Sequence, residues 1–238
     1  QPGGIRRSME VKLIRHTPDP ELAMAAAARL CYSDISAAEI QERLSEDKVQ
    51  DLLRRVIESG HHSVLEHANF TFAVDGISRV ASHQLVRHRL ASYSQQSQRY
   101  VSFSQASYVV PPKIAADPAL RAQFEEGMAA AFALYRQLRS AGVPAEDARF
   151  VLPNAWTTRL VMTMNARELM HVCAIRLCPR AQWEIRRIFT MAKREVARVA
   201  PLYAEHLQPK CVASGYCDED ESCGIRPKRE SQQEGTSR

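Results

Sequence analysis

Residues 68–99 read ANFTFAVDGISRVASHQLVRHRLASYSQQSQR, and the hydrophobic period changes partway along. From Ala68 to Val74 the pattern alternates, with Phe70, Phe72 and Val74 on one face and Asn69, Thr71 and Ala73 on the other. A period of two is that of a half-buried strand. Asp75-Gly76 supplies a turn signal. From Ile77 to Arg89 the spacing becomes helical, with Val80, Gln84 and His88 along one side and Leu85 on another. The stretch therefore predicts a strand, a turn and a helix, followed by a polar run that ends at Arg99.

Toward the N-terminus, Val11-Lys12-Leu13-Ile14 reads as a strand, and Asp19-Pro20 can open a helix to about Leu30. Ser36 with Glu39 makes a capping box before a second helical stretch. Its apolar positions Leu52, Leu53, Val56 and Ile57 keep helical spacing until Gly60. Toward the C-terminus, Asp117-Pro118 caps a long helix carrying Leu120, Phe124, Met128, Phe132 and Tyr135, stopped by Gly142 and Pro144. A short strand is expected around Thr158–Met164. A last long helix starts near Ala181, with Ile185, Ile188, Phe189, Ala192, Val196 and Val199 on one stripe.

Strands and helices do not alternate regularly. The fold class this predicts is α+β, a small antiparallel sheet with several long helices, not a doubly wound sheet. No repeat or linker interrupts residues 9–205, which read as a single domain. Residues 1–8 read as a leader or expression remnant without an apolar core. Residues 206–238 read as a flexible, cysteine-containing tail.

The chain has 238 residues, 45% hydrophobic, with 9 Gly and 12 Pro, a composition that excludes collagen, coiled coil and wholesale disorder. Apolar runs such as Ala25–Ala28 fall far short of a membrane span. A soluble cytoplasmic protein is expected, with no membrane partner. Cys31, Cys173 and Cys178 lie in apolar helical contexts and read as buried free thiols. Cys211, Cys217 and Cys223 follow one another at intervals of six, with His206 just before them. That spacing is wider than usual for zinc, and no metal is expected there.

The net charge of +5 invites a nucleic-acid reading, so its location matters. Most of the excess lies in residues 9–205, and its densest focus is Arg87–Arg99. This stretch holds three arginines, a histidine, three serines and three glutamines, with no Asp or Glu. Guanidiniums donate bidentately to phosphate, and a glutamine can read a base edge with donor and acceptor side by side. A phosphorylated, nucleobase-bearing ligand fits that inventory; a solvated basic helix end fits it also. Clustered arginines with no acid among them favour an outside anion, because like charges repel.

Other signals are weaker. Five histidines, at 61, 62, 67, 83 and 88, invite a metal reading. No HExxH-type pair appears, however, and imidazoles that cradle a cofactor or satisfy core hydrogen bonds fit better. No glycine-rich phosphate loop and no nucleophile elbow is present.

On these residues the chain resembles the flavin-dependent thymidylate synthases, whose signature is RHRxxSxNxxSxR. Arg87-His88-Arg89, Ser92, Ser97 and Arg99 match it, and Ser94 stands at the asparagine position. The likeness continues through Gly60-His61, Glu66-His67, Phe70-Thr71-Phe72, Ala148-Arg149, Val151-Leu152-Pro153, Asn165-Ala166-Arg167-Glu168-Leu169, Arg176 and Ala181-Gln182-Trp183-Glu184-Ile185.

The resemblance implies reductive methylation of dUMP to dTMP with FAD, methylenetetrahydrofolate and NADPH, in a homotetramer whose active sites are built at subunit interfaces. It places His61, Ser63, Glu66, Arg87, His88, Arg89, Gln95, Asn165, Arg167 and His171 at FAD. Gln84, Arg87, Gln95, Gln96, Ser97, Gln98, Arg99, Arg149 and Arg176 fall at dUMP, with Arg176 as the catalytic residue beside the pyrimidine. No polynucleotide partner is implied. The competing expectation is a basic single-stranded nucleic-acid-binding module that uses the same arginines and stacks bases on Tyr93 or Tyr100. A flavoprotein reductase without pyrimidine specificity is a third reading.

Overall fold

The strand that the Phe70-Phe72-Val74 alternation predicts is the inner part of a four-stranded antiparallel sheet, in a computed structural model that describes residues 8–229. The strands are β1 (Glu10–His16), β2 (Asn69–Ser78), β3 (Ser92–Gln95) and β4 (Thr157–Asn165), in the order β1-β2-β4-β3. Phe70, Phe72 and Val74 are fully buried, as are Met162 and Met164 on β4, so one sheet face closes a core. The leader expected at residues 1–8 falls almost wholly outside the described residues, as does the end of the tail from residue 230.

The described chain groups into two compact units. Each is assembled from separated stretches, and the chain passes between them inside β1, inside β2 and before the last residue of β4. No linker separates them.

The first unit comprises residues up to Arg15 and Thr71–Met164. Its helices are α4 (Arg79–Leu85), α5 (Pro112–Ala115), α6 (Pro118–Ser140) and α7 (Ala145–Ala148), the three earlier helices of the chain belonging to the second unit. Asp117 caps α6 by accepting from the amides of Ala119 and Leu120, as its position before Pro118 predicts. The α6 stripe lands on an aromatic cluster: Phe132 lies 5.4 Å from Trp156, Phe103 stands edge-on to Trp156 at 5.5 Å, and Tyr135 neighbours both phenylalanines. Burying side chains of this size contributes about 1.5–3 kcal/mol each, which anchors α6.

Two expectations need correction here. Asp75-Gly76 does not end the strand: Gly76 takes a φ of 69°, available to glycine without a Cβ clash, and β2 continues to Ser78. The helix expected over 77–89 is correspondingly short. Ile77 is fully buried in the strand, Ser78 caps α4 by accepting from Ala81, and α4 stops at Leu85. The amides of Val86, Arg87 and His88 then bond back to Ser82, Gln84 and Leu85 in a tight turn that leads toward β3.

The second unit comprises His16–Phe70 and the chain from Asn165 onward. It contains α1 (Pro20–Leu30), α2 (Ala37–Arg43), α3 (Glu46–Glu58), a 3₁₀ turn (His62–His67), α8 (Ala166–Arg176), α9 (Trp183–Val196), α10 (Pro201–Glu205) and α11 (Lys210–Ser214). The Ser36 capping box is present in both directions. The second helical stretch is two helices rather than one, because Leu44 turns extended and Ser45 takes the N-cap position of a new helix, without a side-chain capping bond. α1 packs on α2, α3 and the 3₁₀ turn, and α8 packs on that turn, α9 and α11. Ile185, Ile188, Phe189, Ala192 and Val196 are all buried, as the stripe on α9 predicts. Phe70 stacks on Tyr203 at 5.9 Å, and the Tyr203 hydroxyl donates to the carbonyl of Ala166.

Of the three thiols expected to be buried, only Cys173 is. Cys31 is exposed beyond the last turn of α1, and Cys178 is half-buried. No helix among the described residues is long and apolar enough to cross a membrane.

Candidate functional site

The basic stretch is not one helix end. Arg87 and Arg89 lie in the turn after α4 with exposed side chains, while His88 between them is buried. Neither guanidinium makes a hydrogen bond or ion pair to a described residue. Ser92–Gln95 form β3, paired so that Gln95 stands opposite Leu160 on β4. Edge pairing fixes the register of the polar run: the Gln96 amide donates to Arg159, and the Gln95 side-chain amide donates to the Thr158 hydroxyl at 3.1 Å. The Gln95 side-chain carbonyl stays available. Ser97 accepts from the Arg99 amide, which folds the chain back after the strand.

Arg99 corrects the acid-free description of this stretch. Its Nε donates to the Glu146 carboxylate at 2.8 Å. Arg149, one turn along from Glu146, donates through Nε to the Glu146 carbonyl at 3.0 Å. Glu146 thus gathers two arginines that are fifty residues apart in sequence. Arg79, which the sequence reading did not single out, joins them: burial and then the charge of Arg149 hold its guanidinium below the ordinary value. Cations close enough to feel one another leave positive potential for an anion. The signal for Glu146 was local, since it stands three residues before Arg149; nothing local marks Arg79.

Gln84, Gln95, Gln96, Ser97, Gln98, Arg99 and Arg149 all belong to the first unit, with Arg87, His88 and Arg89. The remaining expected residues lie in the second. His61 and Ser63 line an open groove of about 1020 Å³ along α1 and α3, together with Arg29, Cys31, Lys48 and Arg55. Glu66, in the 3₁₀ turn, accepts from Arg167 on α8. Asn165 caps α8 by accepting from the Glu168 amide at 2.8 Å, which leaves its NH2 group to donate elsewhere. His171 is exposed one turn beyond Arg167, and Arg176 is half-buried in the last turn of α8. Glu168, below His171, has its carboxyl raised by burial, with the His171 charge opposing.

A small antiparallel sheet with Gln95 on its edge strand, and two arginines, Arg87 and Arg89, without a carboxylate partner among the described residues, suits a binder of phosphorylated, base-bearing small molecules. The comparisons narrow that class. The family model for thymidylate synthase complementing protein matches residues 12–202. The flavin-dependent thymidylate synthase of Geobacter sulfurreducens is 53% identical over 213 residues, 89% of this chain and 91% of that protein. The one from Clostridium tetani is 44% identical over 93% of this chain and 95% of its own length. Among solved structures, the UMP/dUMP methylase PolB from Streptomyces cacaoi, bound with 5-Br dUMP, aligns with a TM-score of 0.76 and 26% identity, covering 84% of this chain and 95% of that one. This chain belongs to the flavin-dependent thymidylate synthase family.

Proposed function

We propose that the chain methylates dUMP to dTMP, with FAD bound by the enzyme, methylenetetrahydrofolate as the one-carbon donor and NADPH as the reductant. Family membership across residues 12–202 carries the reading, and the arginine arrangement agrees with it.

The residues fit a flavin dinucleotide and a nucleotide. Arg87 and Arg89 make no ion pair of their own and suit the FAD diphosphate, with His88 packed beneath them. Arg167, oriented by Glu66, and the spare donors of Asn165 and His171 supply further FAD contacts, with His61 and Ser63 from the groove and Gln95 from the sheet edge. Arg99, Arg149 and Ser97 suit the dUMP phosphate, while Gln84, Arg87, Gln95, Gln96 and Gln98 orient the nucleoside. Bound FAD supplies the hydride for the transferred carbon.

The chain's own share is orientation and charge. C5 of uracil is a weak nucleophile until enolate-like charge develops on the ring. A guanidinium held beside the pyrimidine stabilises that charge, and we assign this to Arg176. Ser97 acts on phosphate, since its hydroxyl already accepts from the Arg99 amide and has no base beside it.

The active unit is a homotetramer with sites shared between copies. Leu90, Tyr100 and Phe150 support this: each directly follows a site arginine and is 78%, 78% and 82% exposed, apolar surface that another copy would cover. The six free thiols suit a reducing, cytoplasmic setting.

A flavin absorption spectrum recorded with and without dUMP tests the core of this. Yellow protein whose spectrum shifts with dUMP, and which forms dTMP with methylenetetrahydrofolate and NADPH, is expected. A folded sample that neither binds flavin nor methylates dUMP overturns it. Salt-sensitive binding spread over several nucleotides would instead restore the nucleic-acid module.

A further inference from the structure

The tail cysteines meet a fourth thiol that their sequence spacing did not show. Cys211 on α11, Cys217 and Cys223 line one small enclosed pocket with Cys178, which stands two residues past α8. His206, the ligand that sequence proximity offered, does not line it. The pocket's free space is about 10 Å³, room for a single water-sized particle and nothing larger.

We propose that Cys178, Cys211, Cys217 and Cys223 form a structural site for one thiophilic divalent cation of the zinc class. Four thiols and no imidazole match the softness that selects such an ion.

Three observations support the site. Within residues 208–229 the only buried side chains are Cys211 and Cys217. A lobe this poor in apolar burial gains from a staple, and the four thiols are placed to add one to the surface ion pairs that hold it. The lobe is nonetheless shaped: Cys217 pairs with Lys228 through a β-bridge, and Lys210 reaches Asp218 and Glu219 at 2.9 and 2.8 Å. The thiols also come from two stretches of chain, Cys178 just after α8 and the other three in the lobe whose α11 packs on α8.

All four sulfurs are free thiols, and among the described residues no group of three or more His, Cys, Asp or Glu is already set to hold an ion. Occupancy requires the side chains to turn inward by rotamer changes. Each thiol then releases its proton to solvent and donates a sulfur lone pair to the metal, with no change in oxidation state. The resulting tetrathiolate carries two net negative charges, at a pocket wall where Lys210 and Arg180 are already balanced by Asp218 and Glu219.

The test uses the full chain, reduced, stripped with chelator and titrated with Co(II). One equivalent per chain is expected, with a sulfur-to-cobalt charge-transfer band, intense tetrahedral d–d bands and affinity that rises with pH. Zn(II) should displace the cobalt. Cys223→Ser, at an exposed position that does not threaten folding, should weaken binding by at least about tenfold, since even outer-shell changes cost that much. Cys31→Ser should bind as the parent does. A reduced chain that develops no charge-transfer band overturns the proposal, as does undiminished binding in Cys223→Ser, or a disulfide joining two of the four thiols in protein purified without reductant. These readouts do not depend on dUMP turnover, so they stand or fall apart from the enzymatic reading.

Discussion

Arg99 is where a stability interaction and a substrate interaction compete, and the two have separable magnitudes. Its pair with Glu146 is short, 2.8 Å, but the side chains are 53% and 46% exposed. An exposed pair of this kind contributes about 0.2–1 kcal/mol. A charge-assisted hydrogen bond to a dUMP phosphate is stronger, about 1.5–3 kcal/mol. Displacing Glu146 subtracts from that gain, so Arg99→Ala should cost substrate binding about 0.5–2.8 kcal/mol, a rise of roughly 2- to 100-fold in KM for dUMP. Folding stability should fall by less than about 1 kcal/mol, a Tm shift of no more than about 4 °C for a chain of this length. Glu146→Gln separates the two terms: it removes the competitor while keeping the α7 backbone that holds Arg149, so KM should stay the same or fall by up to about fivefold. The assay is initial-rate dTMP formation against dUMP concentration, with thermal melts on the same preparations. If Arg99→Ala leaves KM within about twofold of the parent, or Glu146→Gln raises KM as far as Arg99→Ala does, the phosphate assignment fails.

Arg176→Ala should lower turnover by about 10²–10³-fold while flavin absorbance is retained, the loss expected for one charge-stabilising donor; unchanged turnover refutes the role. Arg167→Ala should weaken FAD retention by about tenfold or more, measured by flavin released on gel filtration, and Glu66→Gln should weaken it less because it loosens Arg167 without removing it. Burial holds the Glu21 carboxyl above its ordinary value, against hydrogen bonds from the Tyr203 and Leu202 amides. The folded state therefore binds the proton more tightly, and this group's contribution to stability is lost as pH rises from the unfolded value, about 4.3, through the raised folded one. Relative to Glu21→Gln, whose amide oxygen can still accept from Tyr203, the parent should lose denaturant stability across that window and stay level above it. A difference that instead grows in the parent's favour with rising pH contradicts this.

The elements that were legible in the sequence are those whose cause is local. Period two in Phe70-Phe72-Val74, the Asp117 cap before Pro118, the Ser36–Glu39 box and the α9 stripe each act within a few residues, and each is present. The misread boundaries had causes that were not local. Asp75-Gly76 reads as a turn by composition, yet the sheet keeps its backbone extended and uses Gly76 only for its positive φ. Ile77 fits a helical stripe and a strand equally well in isolation; burial in the sheet decided for the strand.

The same division governs the site. Sequence placed the arginines and glutamines in one stretch and, by resemblance, assigned them ligands. It could not show that Arg99 would find an acid 47 residues away, or that Arg79 would feel the charge of Arg149. Counting acids inside the stretch overstated how unpaired these arginines are. The correction sharpens the chemistry: Arg87 and Arg89 pair with no described residue, whereas Arg99 and Arg149 are held at Glu146. An anion at the first pair meets guanidiniums that must still be ordered, and an anion at the second meets guanidiniums already positioned but must displace a carboxylate. The first arrangement suits a cofactor that stays bound and repays the ordering once. The second suits a substrate that must leave after each turnover, because the carboxylate is there to take the arginine back.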